Sequence, residues 1–286
     1  MGGVTAFPEN IAPVVSMAES EEIVDSGTCG ENLTYVLDSN GTLTISGTGD
    51  MYGVYNFYES NTIPWYKYKE SIKKVIIEDG VTSIGGHAFI RCTELTEIKI
   101  PDSVTSIGDY AFSNCKGLTE ITIPDSVTSI GNNAFSHCTG LTEITILNPE
   151  CEIYDSKATI STGYDVINYE DYFNGTIRGY KNSTAQAYAE KYGKNFVSLG
   201  EAPTFPLGNI NNDEYIDAVD ATAVLMEYAE LSTGGGTTLN YAERKAGDVN
   251  GDGEINSVDA TLILTYYSEV STGKKITFPD FISENT

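Results

Sequence analysis

Between residues 81 and 146 the chain repeats itself every 23 residues without a gap: VTSIGGHAFIRCTELTEIKI, VTSIGDYAFSNCKGLTEITI and VTSIGNNAFSHCTGLTEITI. A unit this short cannot bury its own apolar face. Stacked on its neighbours it gives one continuous core, which constrains the segment to a solenoid. The apolar slots are Ile84/Ile107/Ile130, Phe89/Phe112/Phe135, Leu95/Leu118/Leu141, Ile98/Ile121/Ile144 and Ile100/Ile123/Ile146. In each TEI-x-I segment polar and apolar residues alternate as in a half-buried strand. Gly85, Gly108 and Gly131 fall where a coil has to turn sharply. Val75 and Ile77 fit the strand slots one period earlier, giving about four coils, above the roughly three that stability requires.

A solenoid needs both ends covered. Leu33 to Asp38 and Thr42 to Ser46 flank Asn40-Gly41, a hairpin signal. That hairpin and the Tyr-rich stretch after it are expected to close the first coil. At the other end Ser183 is placed to N-cap a short helix through Ala185, Ala187, Tyr188 and Tyr192. Phe196, Val197 and Leu199 then supply a final strand. Residues 151–180 fit the repeat poorly.

The formal charge of -25 opposes approach to phosphate backbones, so nucleic acid is excluded as a partner, and anionic membranes are disfavoured. No apolar run approaches the ~18 residues of a membrane span. Of five cysteines, Cys92, Cys115 and Cys138 recur in one repeat slot, while Cys29 and Cys151 stand outside it. A shared slot points to buried thiols acting as small hydrophobes rather than to a disulfide framework. The segment from Met1 to Val24 lacks the basic start and long apolar stretch of a signal peptide, and residues 1–27 are set apart from the repeat. They are expected to be the remnant of a trimmed leader or a flexible lead-in.

The repeat resembles the bacterial surface-antigen (BspA-like) class of leucine-rich repeat, a family common on secreted proteins of anaerobic bacteria. The resemblance spans about residues 28–200. It implies a β-rich leucine-rich-repeat solenoid with hairpin and helix caps, and an extracellular location.

After a short linker at 201–207, two related segments lie 39 residues apart: GNINNDEYIDAVDATAVLMEYAELSTG and GDVNGDGEINSVDATLILTYYSEVSTG. Each opens with oxygen-bearing side chains at loop positions 1, 3, 5, 9 and 12. In the first copy these are Asn209, Asn211, Asp213, Asp217 and Asp220; in the second they are Asp248, Asn250, Asp252, Asn256 and Asp259. Tyr215 and Glu254 contribute position 7 carbonyls. Calcium is a hard ion that takes six to eight oxygens, and this spacing wraps one short loop around it. A helix pattern begins at position 12 in both copies. Position 6 is Gly253 in the second loop and Glu214 in the first. A sharp turn there favours glycine, so Glu214 carries a penalty of ~1 kcal/mol and the first site is expected to be the weaker.

Position 12 is Asp rather than Glu, and Pro203 and Pro206 stand where a helix would precede the first loop. Loop–helix, twice, resembles a type I dockerin over about residues 206–272, with the module assigned to 208–276 and a C-terminal tail to 277–286. The resemblance implies a small all-α fold with two EF-hand-like loops, two Ca2+ and a cohesin partner on a scaffoldin. It also implies that loop positions 10 and 11 and the following helix read the cohesin. Here these are Ala218, Val219, Leu225 and Met226, and Ser257, Val258, Leu264 and Thr265. The clostridial Ser-Thr and Lys-Arg pairs are missing, so the contact is more apolar and looks ruminococcal. The alternative for Leu225 and Leu264 is simple burial in the core. Thr204-Phe205-Pro206 and Thr277-Phe278-Pro279 flank the module, either as rings stacked in a clasp or as unrelated apolar tails.

No catalytic constellation is present, and the chain reads as non-enzymatic. His87 aligns with Tyr110 and Asn133, and His137 with Arg91 and Asn114, as in slots on a tolerant surface. Two readings remain for the repeat domain. One is a protein-interaction or adhesion surface, with Glu97, Glu120 and Glu143 as a column that either awaits a basic partner or is simply solvated. The other is glycan binding by Tyr52, Tyr55, Phe57, Tyr58, Trp65, Tyr66 and Tyr68, rings that serve equally well to cap the stack.

Overall fold

A computed structural model describes residues 22–53 and 63–286. The hairpin forms where Asn40-Gly41 places it. Strand β2 (Gly30–Asp38) pairs antiparallel with β3 (Thr42–Met51). Gly41 takes φ +85°, and the Asp38 carboxylate accepts the Asn40 and Thr42 N–H groups at 2.9 and 2.8 Å. An edge strand, β1 (Ile23–Thr28), adds antiparallel to β2 within the stretch expected to be a lead-in. Its residues are nearly all exposed, so main-chain pairing rather than an apolar pattern holds it, and periodicity could not announce it.

From β3 the chain enters the solenoid. Each coil contributes one strand to each of two faces: β4 (Lys74–Ile77) and β5 (Val81–Ile84), β6 (Glu97–Lys99) and β7 (Ser106–Ile107), β8 (Glu120–Ile123) and β9 (Ser129–Ile130), β10 (Glu143–Ile146) and β11 (Glu152–Ile153). All pair in parallel with the equivalent strand of a neighbouring coil where they pair. Ile107 lies on Ile130 and Ile121 on Ile144, so slots in sequence become columns in space. Between the faces, His87, Phe89 and Arg91 donate their N–H groups to Asp109, Ala111 and Ser113 carbonyls at 2.8 Å. Phe89, Phe112 and Phe135 stack with centroids 5.3 and 5.2 Å apart, all fully buried.

Trp65 is the first rung of that stack, 5.9 Å from Phe89 and edge-on to Tyr35, with its indole N–H donated to the Ala88 carbonyl at 2.7 Å. Tyr66 and Tyr68 pack partly against the core, whereas Tyr52 is exposed. Tyr55, Phe57 and Tyr58 lie outside the described residues.

Two expectations about the coil turns are corrected. The left-handed positions are His87/Tyr110/Asn133 and Arg91/Asn114/His137, all with φ between 55° and 63°. The glycines serve close approach instead. A Cβ on Gly85 would stand 2.4 Å from the Tyr52 carbonyl oxygen, and one on Gly108 2.6 Å from the Gly86 nitrogen. Nor is the His87 slot a tolerant surface: its ring is buried and stacked on Tyr110 at 5.0 Å.

The stretch 151–180 holds an insertion. A hairpin of β12 (Gly163–Asp165) and β13 (Glu170–Tyr172) projects before β14 (Thr176–Gly179) rejoins the ladder on β10. Ile177 lies beside Ile144, 33 residues on rather than 23. Helix α1 (Thr184–Lys191) closes the stack, with the Ser183 hydroxyl accepting the Gln186 N–H at 3.2 Å, and β15 (Asn195–Ser198) adds the last strand.

A second core follows, built by α2 (Ala218–Ser232), α3 (Tyr241–Gly247), α4 (Ser257–Ser271) and α5 (Phe278–Asn285) around Ile210, Val224, Val249, Ile263 and Phe281. The C-terminal tail is therefore a helix, capped by the Thr277 hydroxyl and anchored by Phe278, Phe281 and Ile282 at helical spacing. The clasp differs from a Phe–Phe stack. Phe278 packs edge-on to Tyr266 at 4.9 Å and against the bare backbone of Gly208, where a Cβ would meet its ring at 2.4 Å. Phe205 lies at the margin of the core. The ends of the module thus meet through one ring and one glycine.

Candidate calcium loops and docking face

Both loops run directly into a helix, and the same side chains close the loop and start the helix. Asn256 at position 9 caps α4 by accepting the Val258 N–H at 2.7 Å, and Asp217 does the same for Val219 on α2 at 2.7 Å. Asp259 at position 12 is fully buried. One of its oxygens accepts the Val249 and Asn250 N–H groups at 3.0 and 3.3 Å; the other accepts Asn256 N–H at 3.0 Å. Asp220 repeats this on Ile210, Asn211 and Asp217 at 2.8, 3.3 and 2.9 Å. Burial pushes the Asp259 carboxyl upward, against the N–H groups that hold it down. A buried carboxylate at the positive end of a helix is electrostatically matched to that place.

The rest of the second loop supplies oxygens around one point. Asn250 Oδ1 accepts Asp252 N–H at 2.9 Å, Asp252 Oδ1 accepts Glu254 N–H at 2.9 Å, and Asp248 Oδ2 accepts Gly253 N–H at 3.0 Å. Asp248 Oδ1 is buried and has no hydrogen-bond partner. A buried, unpartnered carboxylate oxygen is costly unless a cation meets it, and the surrounding donors are all oxygens, so the residues fit a hard ion such as calcium. Among the described residues no three His, Cys, Asp or Glu side chains gather as a metal cluster. The side chains at the five loop positions are Asn and Asp alone, which is the chemistry of a short calcium loop rather than of a transition-metal site.

The first loop departs at two places. Glu214 is not left-handed; Asn212 at position 4 carries the positive φ, 53°, as Gly251 does in the second loop at 73°. The expected backbone penalty at Glu214 is therefore absent. What is lost instead is the position 6 to position 1 hydrogen bond: Asn209 Oδ1 takes the Asp213 N–H at 3.1 Å, and its amide donates to the Asp213 carbonyl at 2.8 Å. Asn211 Oδ1 shares that same Asp213 N–H at 3.0 Å, and Asp213 Oδ1 accepts Tyr215 N–H at 2.7 Å.

Ala218, Val219, Leu225, Met226, Ser257, Val258, Leu264 and Thr265 are placed on the outer side of the module, with Val219 58 %, Met226 65 % and Val258 52 % accessible. Leu225 and Leu264 are not core, because Val224 and Ile263 point inward in their place. The apolar surface is longer than the residues singled out in sequence, since Tyr228 and Leu231 on α2 and Tyr267 and Val270 on α4 are exposed too. Each pair stands 39 residues apart, as do Val219 and Val258, and that duplicated spacing is the signal by which they were findable.

On the repeat domain the glutamate column is bracketed by bases. Lys74 pairs with Glu97 at 2.5 Å and Arg178 with Glu143 at 3.3 Å, leaving Glu120 between them. No helix among the described residues is long and apolar enough to cross a membrane.

The solenoid and the duplicated loop–helix module define a leucine-rich-repeat-like protein with a small helical second module. Residues 61–174 match the BspA type leucine rich repeat region, in six copies, and residues 207–268 match the Dockerin type I domain. The chain is thus a BspA-type leucine-rich repeat region followed by a type I dockerin. Solved structures similar to it include a leucine-rich repeat protein from Eubacterium ventriosum, 28% identical with TM-score 0.40, covering 55% of this chain and 45% of that one. The T. pallidum leucine rich repeat protein is 23% identical with TM-score 0.35, covering 53% and 70%. A leucine rich cell surface protein from Faecalibacterium prausnitzii is 21% identical with TM-score 0.29, covering 66% and 57%. This chain thus spans less than half the length of the Eubacterium protein. No curated protein matches it. Type I dockerins bind calcium and imply a cohesin partner in a cellulosome-type context.

Proposed function

We propose that this protein is a secreted, non-catalytic component that plugs into a scaffoldin through its dockerin and carries the repeat domain as an interaction surface. In this reading two Ca2+ are held, one by Asn209, Asn211, Asp213, Asp217, Asp220 and the Tyr215 carbonyl, the other by Asp248, Asn250, Asp252, Asn256, Asp259 and the Glu254 carbonyl. Calcium neutralises the clustered carboxylates. The chain's own contribution is to order the starts of α2 and α4 so that their apolar faces stand rigidly in solvent. The observation that carries the reading is the buried, unpartnered oxygen of Asp248 in the loop that leads into α4, one of two helices with a duplicated apolar face.

The face offers Val219, Leu225 and Met226, and Val258 and Leu264, without charged neighbours at loop positions 10 and 11, which suits a cohesin with an apolar surface. A panel of cohesins, assayed with calcium and with chelator, tests this. Binding to at least one apolar-faced cohesin, abolished by excess EDTA, is expected; binding that survives EDTA would sink the proposal.

For the repeat domain, the protein-interaction reading is preferred to glycan binding. Trp65, the broadest ring available to stack on a sugar, is in the core. Retention of the isolated repeat domain on plant polysaccharide would reverse that preference.

A further inference from the structure

The dockerin does not hang free of the repeat domain. Helix α3, which joins the two calcium copies, lies on turns at the side of the solenoid. Its first N–H, from Tyr241, is donated to Asp125 Oδ2 at 3.0 Å, and the Tyr241 hydroxyl donates to Glu150 Oε1 at 3.1 Å. The Arg244 guanidinium donates to the Asp125 carbonyl at 2.7 Å and pairs with its carboxylate at 3.6 Å; Lys245 pairs with Glu150 at 2.7 Å. Gly236 sits so close to the repeat that a Cβ there would stand 2.1 Å from Ser103 Cα.

The chemistry of the stretch makes this contact informative. Between Lys194 and Lys274 there are 13 acidic residues and two basic ones, and those two are Arg244 and Lys245. Two acidic modules repel at close range, so a contact between them needs local opposite charge. Both available bases land on repeat-domain carboxylates. Those carboxylates lie on turns of neighbouring coils, Asp125 one residue after Pro124 and Glu150 two residues after Asn148, the counterpart of Pro124; Pro101-Asp102 is the copy of Pro124-Asp125 one period earlier. Asp125 and the Arg244 side chain are only about a quarter exposed, so this pair is screened less than a surface ion pair.

We propose that α3 is an intramolecular latch: Arg244, Lys245 and Tyr241 hold the dockerin on the Asp125 and Glu150 turns, so the two modules travel as one body. The repeat surface is then presented at a set angle to whatever the α2/α4 face binds, and that face stays uncovered. Burial at this contact, reinforced by Glu150, also pushes the Tyr241 phenol up to about 12.

Small-angle scattering of the full chain tests the latch. The wild type should scatter as one compact particle. Asp125→Lys with Glu150→Lys should raise the radius of gyration and the maximum dimension, with circular dichroism unchanged. These are the decisive substitutions because Asp102 shows that the turn stands without such a contact, whereas Arg244 also donates to Leu239 and Thr237 within its own module. Adding Arg244→Glu and Lys245→Glu to the repeat-side pair should restore compactness. A wild type that already scatters as two independent bodies, an unchanged particle in the repeat-side variant, or a fourfold variant that stays open would each overturn the proposal.

Discussion

At the scale of single residues, Cys92, Cys115 and Cys138 show how one side chain serves a repeat. Cys115 and Cys138 each direct their thiol at a carbonyl of the preceding coil, Phe89 and Phe112, at 3.1 Å. Burial pushes Cys29 up to about 11, Cys92, Cys138 and Cys151 up to about 12, and Cys115 well above its usual value of 9.0. In the unfolded chain these thiols ionise near 9, while in the fold they keep their protons. The unfolded state therefore binds fewer protons above pH 9, and the thiols make stability fall as pH rises through that point. The melting temperature of the repeat domain should decline from about pH 9 upward, less steeply in Cys115→Ala; a flat profile to about pH 11 would contradict this. The same burial should keep all five thiols unreactive to a disulfide reagent at about pH 8 until denaturant is added. The first calcium loop makes a second residue-scale case. Gly253, at φ 88°, turns its N–H to Asp248, whereas Glu214 lacks the left-handed φ and Asn209 at position 1 is engaged by Asp213 instead. The first loop should bind calcium more weakly, and Glu214→Gly, by allowing that hydrogen bond, should recover about fivefold, the equivalent of ~1 kcal/mol. Titration calorimetry that fills the first loop before the second would refute the ordering.

At the scale of elements, stacking explains both what the sequence reveals and what it hides. A ring in the middle of the ladder touches a ring on each side, and repeat stability is carried by such nearest-neighbour contacts. Phe112→Ala should cost ~3–5 kcal/mol, read from urea denaturation of the repeat domain, since neither Phe89 nor Phe135 can move to fill the gap. A loss under about 1 kcal/mol would mean that the coils unfold one at a time. The ladder, the hairpin at Asn40-Gly41, the Ser183 cap and the duplicated loop–helix pattern were legible because each rests on local chemistry or on periodicity. What escaped has neither. β1 is an exposed edge strand; the β12–β13 hairpin is an insertion that breaks the period; and α5 lies within a short stretch that reads as a tail until Thr277 is seen to cap it. The coil glycines were found but misread, because sequence cannot separate a need for positive φ from a need for bare backbone. Within the candidate site the proposed ligands rest on spacing alone. Their second task, capping α2 and α4, was visible only once Asp217 and Asn256 were seen against the helix N–H groups.

At the scale of the whole molecule, two cores of different origin share one chain. The repeat core runs from Cys29 to Ala189 and includes no residue of the two acidic loops, whereas the dockerin core is small and buries a carboxylate, Asp220 or Asp259, in the first turn of α2 and of α4. Burying Asp220 and Asp259 without a cation leaves negative charge in a module that already carries far more acid than base. Metal that binds the folded form alone stabilises it by about 2.7 kcal/mol per site at a hundredfold excess over Kd. Melting of the full chain should therefore show two transitions. Calcium should raise the one that carries most of the helical circular dichroism, and EDTA should lower or abolish it while the β-rich transition stays in place. A variant with Asp248→Ala and Asp259→Ala should behave in calcium as the wild type does in EDTA. If one transition moves as a unit in both conditions, the latch at α3 couples the cores strongly enough to melt them together. The repeat-side charge reversal at Asp125 and Glu150 should then split that transition in two.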